Sequence, residues 1–208
     1  MNELEVKDFL KEKFKFKKNK IDIIANFVKY LLEYNQKYNL IGKSTENDVW
    51  NRHILDSAQL IKYINFSNPG ILADLGSGAG LPGLILAIYN DNPEFHVKLY
   101  EKSNIKCDFI ENCAEKLNIK CDVMRGNYSE HFIDSNYITC RAFKKLPEIM
   151  RISREIFKKD HKLIILKGKS AQIEINKALK EKYFKYKLYN SITDDKSKII
   201  VCNIIKSD

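Results

Sequence analysis

Between residues 20 and 38 the apolar positions Ile21, Ile24, Val28, Leu31 and Leu32 recur at helical spacing, with Lys20, Asp22, Asn26, Lys29 and Glu33 off that stripe. This pattern predicts a helix that buries one face in a core. No strand signal occurs in residues 1–65, which read as helical and include a second short helix carrying Arg52, His53, Ile54, Leu55, Asp56 and Ser57. Beyond a turn-rich link at 65–70 the pattern changes. Short apolar runs at 71–75, 97–101, 121–124, 137–140 and 163–166 predict strands, with helical stretches at 82–89, 104–117, 144–158 and 171–182 between them. Strands and helices in this alternation imply a parallel sheet covered on both faces. Two final strand-like runs, 183–189 and 198–205, are joined by a polar link that includes Thr193–Ser197, short enough for a hairpin that brings an antiparallel strand into the sheet. The expected organisation is a helical extension over residues 1–65 followed by an α/β domain over 66–208, with seven strands in a mixed sheet.

The densest local signal is the stretch Asp74-Leu75-Gly76-Ser77-Gly78-Ala79-Gly80-Leu81-Pro82-Gly83, which holds four of the chain's eight glycines. It follows an apolar run and precedes Leu84-Ile85-Leu86-Ala87-Ile88, the order of a buried strand turning tightly into a helix. Pro82 fits the first helical turn. Glycines at alternate positions let a ligand lie against the backbone, and the helix start is expected to present unpaired N–H groups. In such a sheet ligands bind beyond the carboxyl ends of the strands. That rule selects Glu101, about 20 residues after the last alternating glycine, where an acid can bond both hydroxyls of an adenosine ribose. It also selects Gly126-Asn127, Arg141 and Lys167-Gly168 as strand ends converging on one crevice.

Charge adds a direction. Lys and Arg exceed Asp and Glu by 36 to 27, a formal net charge of +9, which favours a polyanionic partner. Lysines at 7, 11, 13, 15, 17, 18 and 20, interleaved with Phe9, Phe14 and Phe16, form either a solvated amphipathic face or a patch for phosphates. The five cysteines are scattered without a C-x-x-C pair or a histidine cluster nearby, which argues against zinc and against a disulfide framework. No apolar run has the length of a membrane span, and a cytoplasmic monomer without a metal is expected. On pattern alone, His53 and Asp56 read as a helical pair that satisfy each other.

Nicotinamide and flavin loops use G-x-G-x-x-G, whereas Gly76, Gly78 and Gly80 are evenly spaced after Asp74. The spacing D-x-G-x-G-x-G resembles that of S-adenosylmethionine-dependent methyltransferases, whose mixed sheet also ends in a hairpin. Isolated prolines disfavour the N-P-P-Y segment of adenine-amine methylation, and no cysteine adjoins a proline as in cytosine-5 methylation. Cys140 is the only cysteine near the crevice and reads as structural. Guanine N7 remains compatible, because its lone pair is free at neutral pH and needs only to be held in line.

Arg52-His53-Ile54-Leu55-Asp56-Ser57, the glycine stretch, Arg141-Ala142-Phe143 and Leu166-Lys167-Gly168 stand in the order found in the bacterial small-subunit rRNA guanine-N7 methyltransferases, also called glucose-inhibited division protein B. The resemblance runs from about residue 28 to the end and implies a class I, Rossmann-like methyltransferase fold. It implies methyl transfer from S-adenosylmethionine to N7 of one guanine in 16S rRNA, free or in a small-subunit precursor. Gly76, Leu81, Gly126, Asn127 and Arg141 are then expected at the cofactor, joined by Asp74, Gly78, Gly80 and Glu101 from the loop reading. Arg52, His53 and Arg141 are expected to orient the reactants, and Lys11, Lys15, Lys17, Lys18 and Lys167 to meet RNA. The alternative is an RNA-binding protein that keeps this fold without turnover.

Overall fold

The computed structural model describes residues 1–156, 159–168, 170–178 and 185–205. Two long helices open the chain, α1 (Glu3–Phe14) and α2 (Lys18–Tyr38). Asn2 caps α1 in a capping box with Glu5, and Lys15, at φ 60°, ends it. The basic segment is therefore two helices with a break at 15–17, in which Phe14 and Phe16 are buried. Residues 43–63 follow as tight single turns: a 3₁₀ turn Lys43–Asp48, a widened π turn Trp50–Leu55, one α turn α3 (Asp56–Ala58) and a 3₁₀ turn Gln59–Tyr63.

The sheet comprises β1 (Gly70–Leu75), β2 (Phe95–Glu101), β3 (Asp122–Arg125), β4 (Tyr137–Arg141), β5 (His161–Lys167), β6 (Lys185–Asn190) and β7 (Lys198–Ile204). Its spatial order is β3-β2-β1-β4-β5-β7-β6. β1 to β5 pair in parallel, while β7 runs antiparallel between β5 and β6. The expected mixed sheet with its hairpin is thus present, and the winding reverses between β1 and β4. Helices α4 (Gly83–Tyr89), α5 (Asn104–Lys116), α6 (Leu146–Ile156) and α7 (Ala171–Ala178) connect the strands. The expected helix ends at 157–158 and 179–182, and the expected strand start at 183–184, lie outside the described residues.

Alternation along the strands separates two cores. Ile164 and Leu166 face the side covered by α2, α4 and α5, whereas Leu163 and Ile165 pack with Leu146, Ile149 and Met150 of α6. The stripe of α2 is continuous with the first core: Ile24, Phe27 and Leu31 share it with Leu84, Ile88 and Phe109. Residues on both sides of position 65 therefore pack into one cluster. No described helix is long and apolar enough to cross a membrane.

Candidate active site

A cavity of about 540 Å³ lies beyond the carboxyl ends of β1 and β4, the switch point of the sheet. Its walls include Gly76, Ser77, Gly78 and Leu81 of the loop after β1, Glu101 at the end of β2, Arg141 at the end of β4 and Lys167 at the end of β5. The opposite wall comes from the helical part, through Leu40, Ile41, Thr45, Arg52, His53 and Asp56.

The loop is held from below. Asp74 is fully buried; its carboxylate accepts from the Gly83 N–H at 3.0 Å and from the Thr139 hydroxyl at 3.0 Å, and burial pushes its pKa up to about 6. Asp74 thus holds the loop and does not reach the cavity, which corrects its expected place at the cofactor. The helix start is corrected too. Gly83, Leu84 and Ile85 donate to Asp74 Oδ2, the Gly80 carbonyl and the Pro82 carbonyl, and α4 begins at Gly83, just after Pro82. A pyrophosphate would need those donors; a cofactor without phosphate does not.

Three glycines of the loop serve different ends. A Cβ on Gly76 would stand 2.4 Å from the Phe143 ring, and one on Gly80 2.4 Å from Leu84, so these two permit protein packing. At Gly78, with φ +60°, the nearest protein atom to such a Cβ is the Gly76 carbonyl at 4.0 Å. Open cavity space lies there, a cradle that a side chain would fill. Gly78 also donates its N–H to Glu101 Oε2 at 2.8 Å, while Ser103 donates to Oε1 at 2.9 Å. A carboxylate has about four lone-pair sites, so Glu101 keeps acceptor capacity for ligand hydroxyls.

Arg141 lies under the other end. Its Nη1 donates to His53 Nδ1 at 3.0 Å and to the Arg52 carbonyl at 3.2 Å, and is 3.7 Å from Asp56 Oδ2. Burial raises the pKa of Asp56 and lowers that of Arg141, with their mutual attraction opposing both. Asp56 also accepts from Gln59 at 2.9 Å and Thr193 at 2.8 Å. His53 and Asp56 consequently do not satisfy each other; both converge on Arg141. Ala142, next in the chain and lining the cavity, holds φ +48°, a conformation that costs a non-glycine residue roughly 1–2 kcal/mol.

The link between β6 and β7 borders the cavity, which Ser197 lines. Arg52 Nη1 reaches Asp194 at 3.2 Å, and Gln59 bonds Ser191 Oγ and the Ile192 N–H. These contacts were not visible in the sequence, because they join residues more than a hundred positions apart; Thr45, which bonds His53 eight positions on, was missed because a single threonine in a polar break gives no signal. Asn35 did leave a signal: it is a polar residue continuing the α2 stripe, it is buried, and its side chain accepts from the Ile41 N–H at 2.7 Å to shape the wall.

Other expected site residues fall elsewhere. Gly126 and Asn127 follow β3 outside the cavity walls, where Asn127 caps the turn Tyr128–Glu130. Lys167 donates to the Lys144 carbonyl and pairs with Glu174 at 2.8 Å, so its ammonium is engaged within the protein. Lys17 pairs with Asp91 at 2.7 Å beside the amino ends of β1 and β2, the opposite end of the sheet. Lys11, Lys15 and Lys18 are exposed. Cys140 is fully buried and its thiol is pushed far above the usual range, so it offers no thiolate. Among the described residues no cluster of His, Cys, Asp and Glu suited to a metal occurs.

Residues 20–200 match the family described as GidB, rRNA small subunit methyltransferase G. The chain belongs to that family. A ribosomal RNA small subunit methyltransferase G of Rickettsia typhi is 38% identical over 185 residues, 88% of this chain and 92% of the relative. One of Orientia tsutsugamushi is 34% identical over 200 residues, covering 96% and 98%. Among solved structures, an S-adenosylmethionine-dependent methyltransferase of Aquifex aeolicus superposes with TM-score 0.61 at 12% identity, over 79% of this chain and 96% of that one. An RNA methyltransferase of Salinibacter ruber in complex with S-adenosylhomocysteine gives 0.55 at 11%, over 73% and 92%. The fold is that of class I methyltransferases, and S-adenosylmethionine is the cofactor that goes with this family. Gly78, Glu101 and Arg141 form a cavity that fits it: a bare backbone, an acceptor for hydroxyls and a cation.

Proposed function

We propose that this protein methylates N7 of a guanine in 16S rRNA, as free RNA or in a precursor of the small ribosomal subunit. When bound, S-adenosylmethionine supplies a methyl group on a sulfonium sulfur, activated without further help from the protein. Glu101 at the end of β2 would hold the ribose hydroxyls, the loop at Gly78 would carry the middle of the molecule, and Arg141 would take the carboxylate of its amino-acid end. This assignment follows the spatial order β2-β1-β4 and places opposite charges together.

The observation that supports the choice of acceptor is that His53 and Cys140, the neutral-pH base and the thiol nearest the cavity, are engaged or buried, while the carboxylates Glu101 and Asp56 hold partners within the protein. Both ring nitrogens of His53 are bonded, Asp56 is bound to Gln59 and Thr193, and Cys140 is sealed away. Guanine N7 has no proton to lose, so its methylation asks none of these groups to act as a base. The wall residues then exclude water and hold the base in line, an orientation worth on the order of 7–11 kcal/mol. Family membership and the net charge of +9 support ribosomal RNA as the polymer.

The test is transfer of tritiated methyl from S-adenosylmethionine to 16S rRNA taken from cells lacking the enzyme. The expected product is one N7-methylguanine, located by chain scission after borohydride and aniline treatment. Binding of S-adenosylhomocysteine and of rRNA without incorporation would instead mark a binding protein that keeps the fold without turnover.

A further inference from the structure

A guanidinium only donates hydrogen bonds. Arg141 Nη1, 3.0 Å from His53 Nδ1, therefore requires a lone pair on that nitrogen. The ring proton must then sit on Nε2, which donates to Thr45 Oγ1 at 2.8 Å, and the Thr45 hydroxyl passes its own hydrogen to the Gly42 carbonyl at 2.7 Å. The chain of donors runs one way, from Arg141 through His53 and Thr45 to a backbone carbonyl. Burial and the charges of Arg141 and Arg52 hold the His53 pKa down at about 3, so the ring stays neutral at working pH and the direction is kept.

The second hydrogen of Nη1 goes to the Arg52 carbonyl at 3.2 Å. Both hydrogens on that nitrogen are committed, whereas Nη2 and Nε make no hydrogen bond with the described residues. The fork has one edge tied to the helical wall and one edge free, and Arg141 lines the cavity. Such a free edge matches the two oxygens of a carboxylate.

We propose that His53 is a positioning residue: by accepting at Nδ1 it sets which edge of Arg141 faces the cavity, and Thr45 sets the tautomer that lets it accept. The inference rests on the reading of Arg141 as the partner of the cofactor's carboxylate. It separates two substitutions that are alike in size and polarity. The amide of asparagine reaches the place of Nδ1 and keeps an acceptor for Arg141; that of glutamine reaches the place of Nε2 and keeps only the Thr45 side.

Calorimetric titration with S-adenosylhomocysteine, and with 5′-methylthioadenosine, which lacks the amino-acid end, tests this. His53→Gln is expected to weaken S-adenosylhomocysteine about tenfold or more, the loss of one hydrogen bond to a charged group, and to leave 5′-methylthioadenosine within about twofold. His53→Asn is expected to hold both within about threefold, and Thr45→Val to weaken only S-adenosylhomocysteine. Equal losses for both ligands, or equal behaviour of the Asn and Gln variants, would overturn the proposal. Should His53→Gln fail to fold, Thr45→Val decides by the same selectivity. Arg141→Lys identifies the other failure: unchanged S-adenosylhomocysteine affinity in that variant would remove the carboxylate reading and the proposal with it, whereas a loss there with unaffected His53 variants would remove the proposal alone.

Discussion

Gly78 meets open space where a Cβ would stand, but its φ of +60° strains any residue with a side chain, so a substitution there disturbs both a ligand and the loop's backbone. Gly78→Val is expected to abolish S-adenosylhomocysteine binding in a calorimetric titration and, through the strained backbone, to lower the urea midpoint as well. Below the loop, Asp74 and His53 oppose each other in acid. Asp74, raised from 3.8 to about 6, contributes stability that is complete below about pH 4 and is lost as pH rises through 6. His53, lowered from 6.5 to about 3, contributes stability present above 6.5 and lost as pH falls toward 3. Asp74→Asn leaves only the second slope. Urea denaturation at pH 7 and pH 4.5 is expected to show an acid loss in that variant larger than in the wild type, by at most ~3 kcal/mol. That Glu101 lines the cavity was legible because a strand end in this topology faces the crevice. Asp74 was misread because an acid at the end of a buried strand looks the same whether it turns to the cavity or to the start of α4. Burial and partners decide that, and neither is local.

At the scale of elements, periodicity located the strands to within about two residues and recovered α2, because burial on one face leaves a period in the sequence. The widened turn at Trp50–Leu55 left no such mark. It buries Trp50, Ile54 and Leu55 while Arg52 and His53 line the cavity, an arrangement that a regular helix reading missed. The basic segment divides by the partners of its lysines. Lys17 and Lys20 both pair with Asp91, whereas Lys11, Lys15 and Lys18 are exposed. If the exposed three meet phosphates, their joint replacement by Gln lowers the slope of log affinity for rRNA against log salt by about 0.7–0.9 for each phosphate no longer neutralised. The binding constant for S-adenosylhomocysteine is expected to stay at its wild-type value. An unchanged salt slope would make this face a solvated one.

Over the whole molecule, the helical part and the sheet share one hydrophobic core. Phe109 of α5 meets Phe27 at 6.2 Å and Tyr34 at 5.2 Å between ring centroids, and both partners belong to α2. A chain of residues 66–208 alone would expose that apolar surface. It is expected to show no cooperative urea transition and to bind the dye ANS. The sequence shows a change of pattern near 65, but not that the two sides share a core, since periodicity shows that a face is buried and not against what.

The order β5-β7-β6 has a consequence for how the chain is made. β6 is synthesised before β7 yet touches the sheet only through it. β6 therefore has no place in the sheet until β7 is present to pair with it. A chain stopped before Lys198 therefore loses two strands, and amide hydrogen exchange in residues 185–190 is expected to rise to the rate of an unfolded segment. The mouth of the cavity, anchored by Asp194 on the link between those strands, would come apart with them.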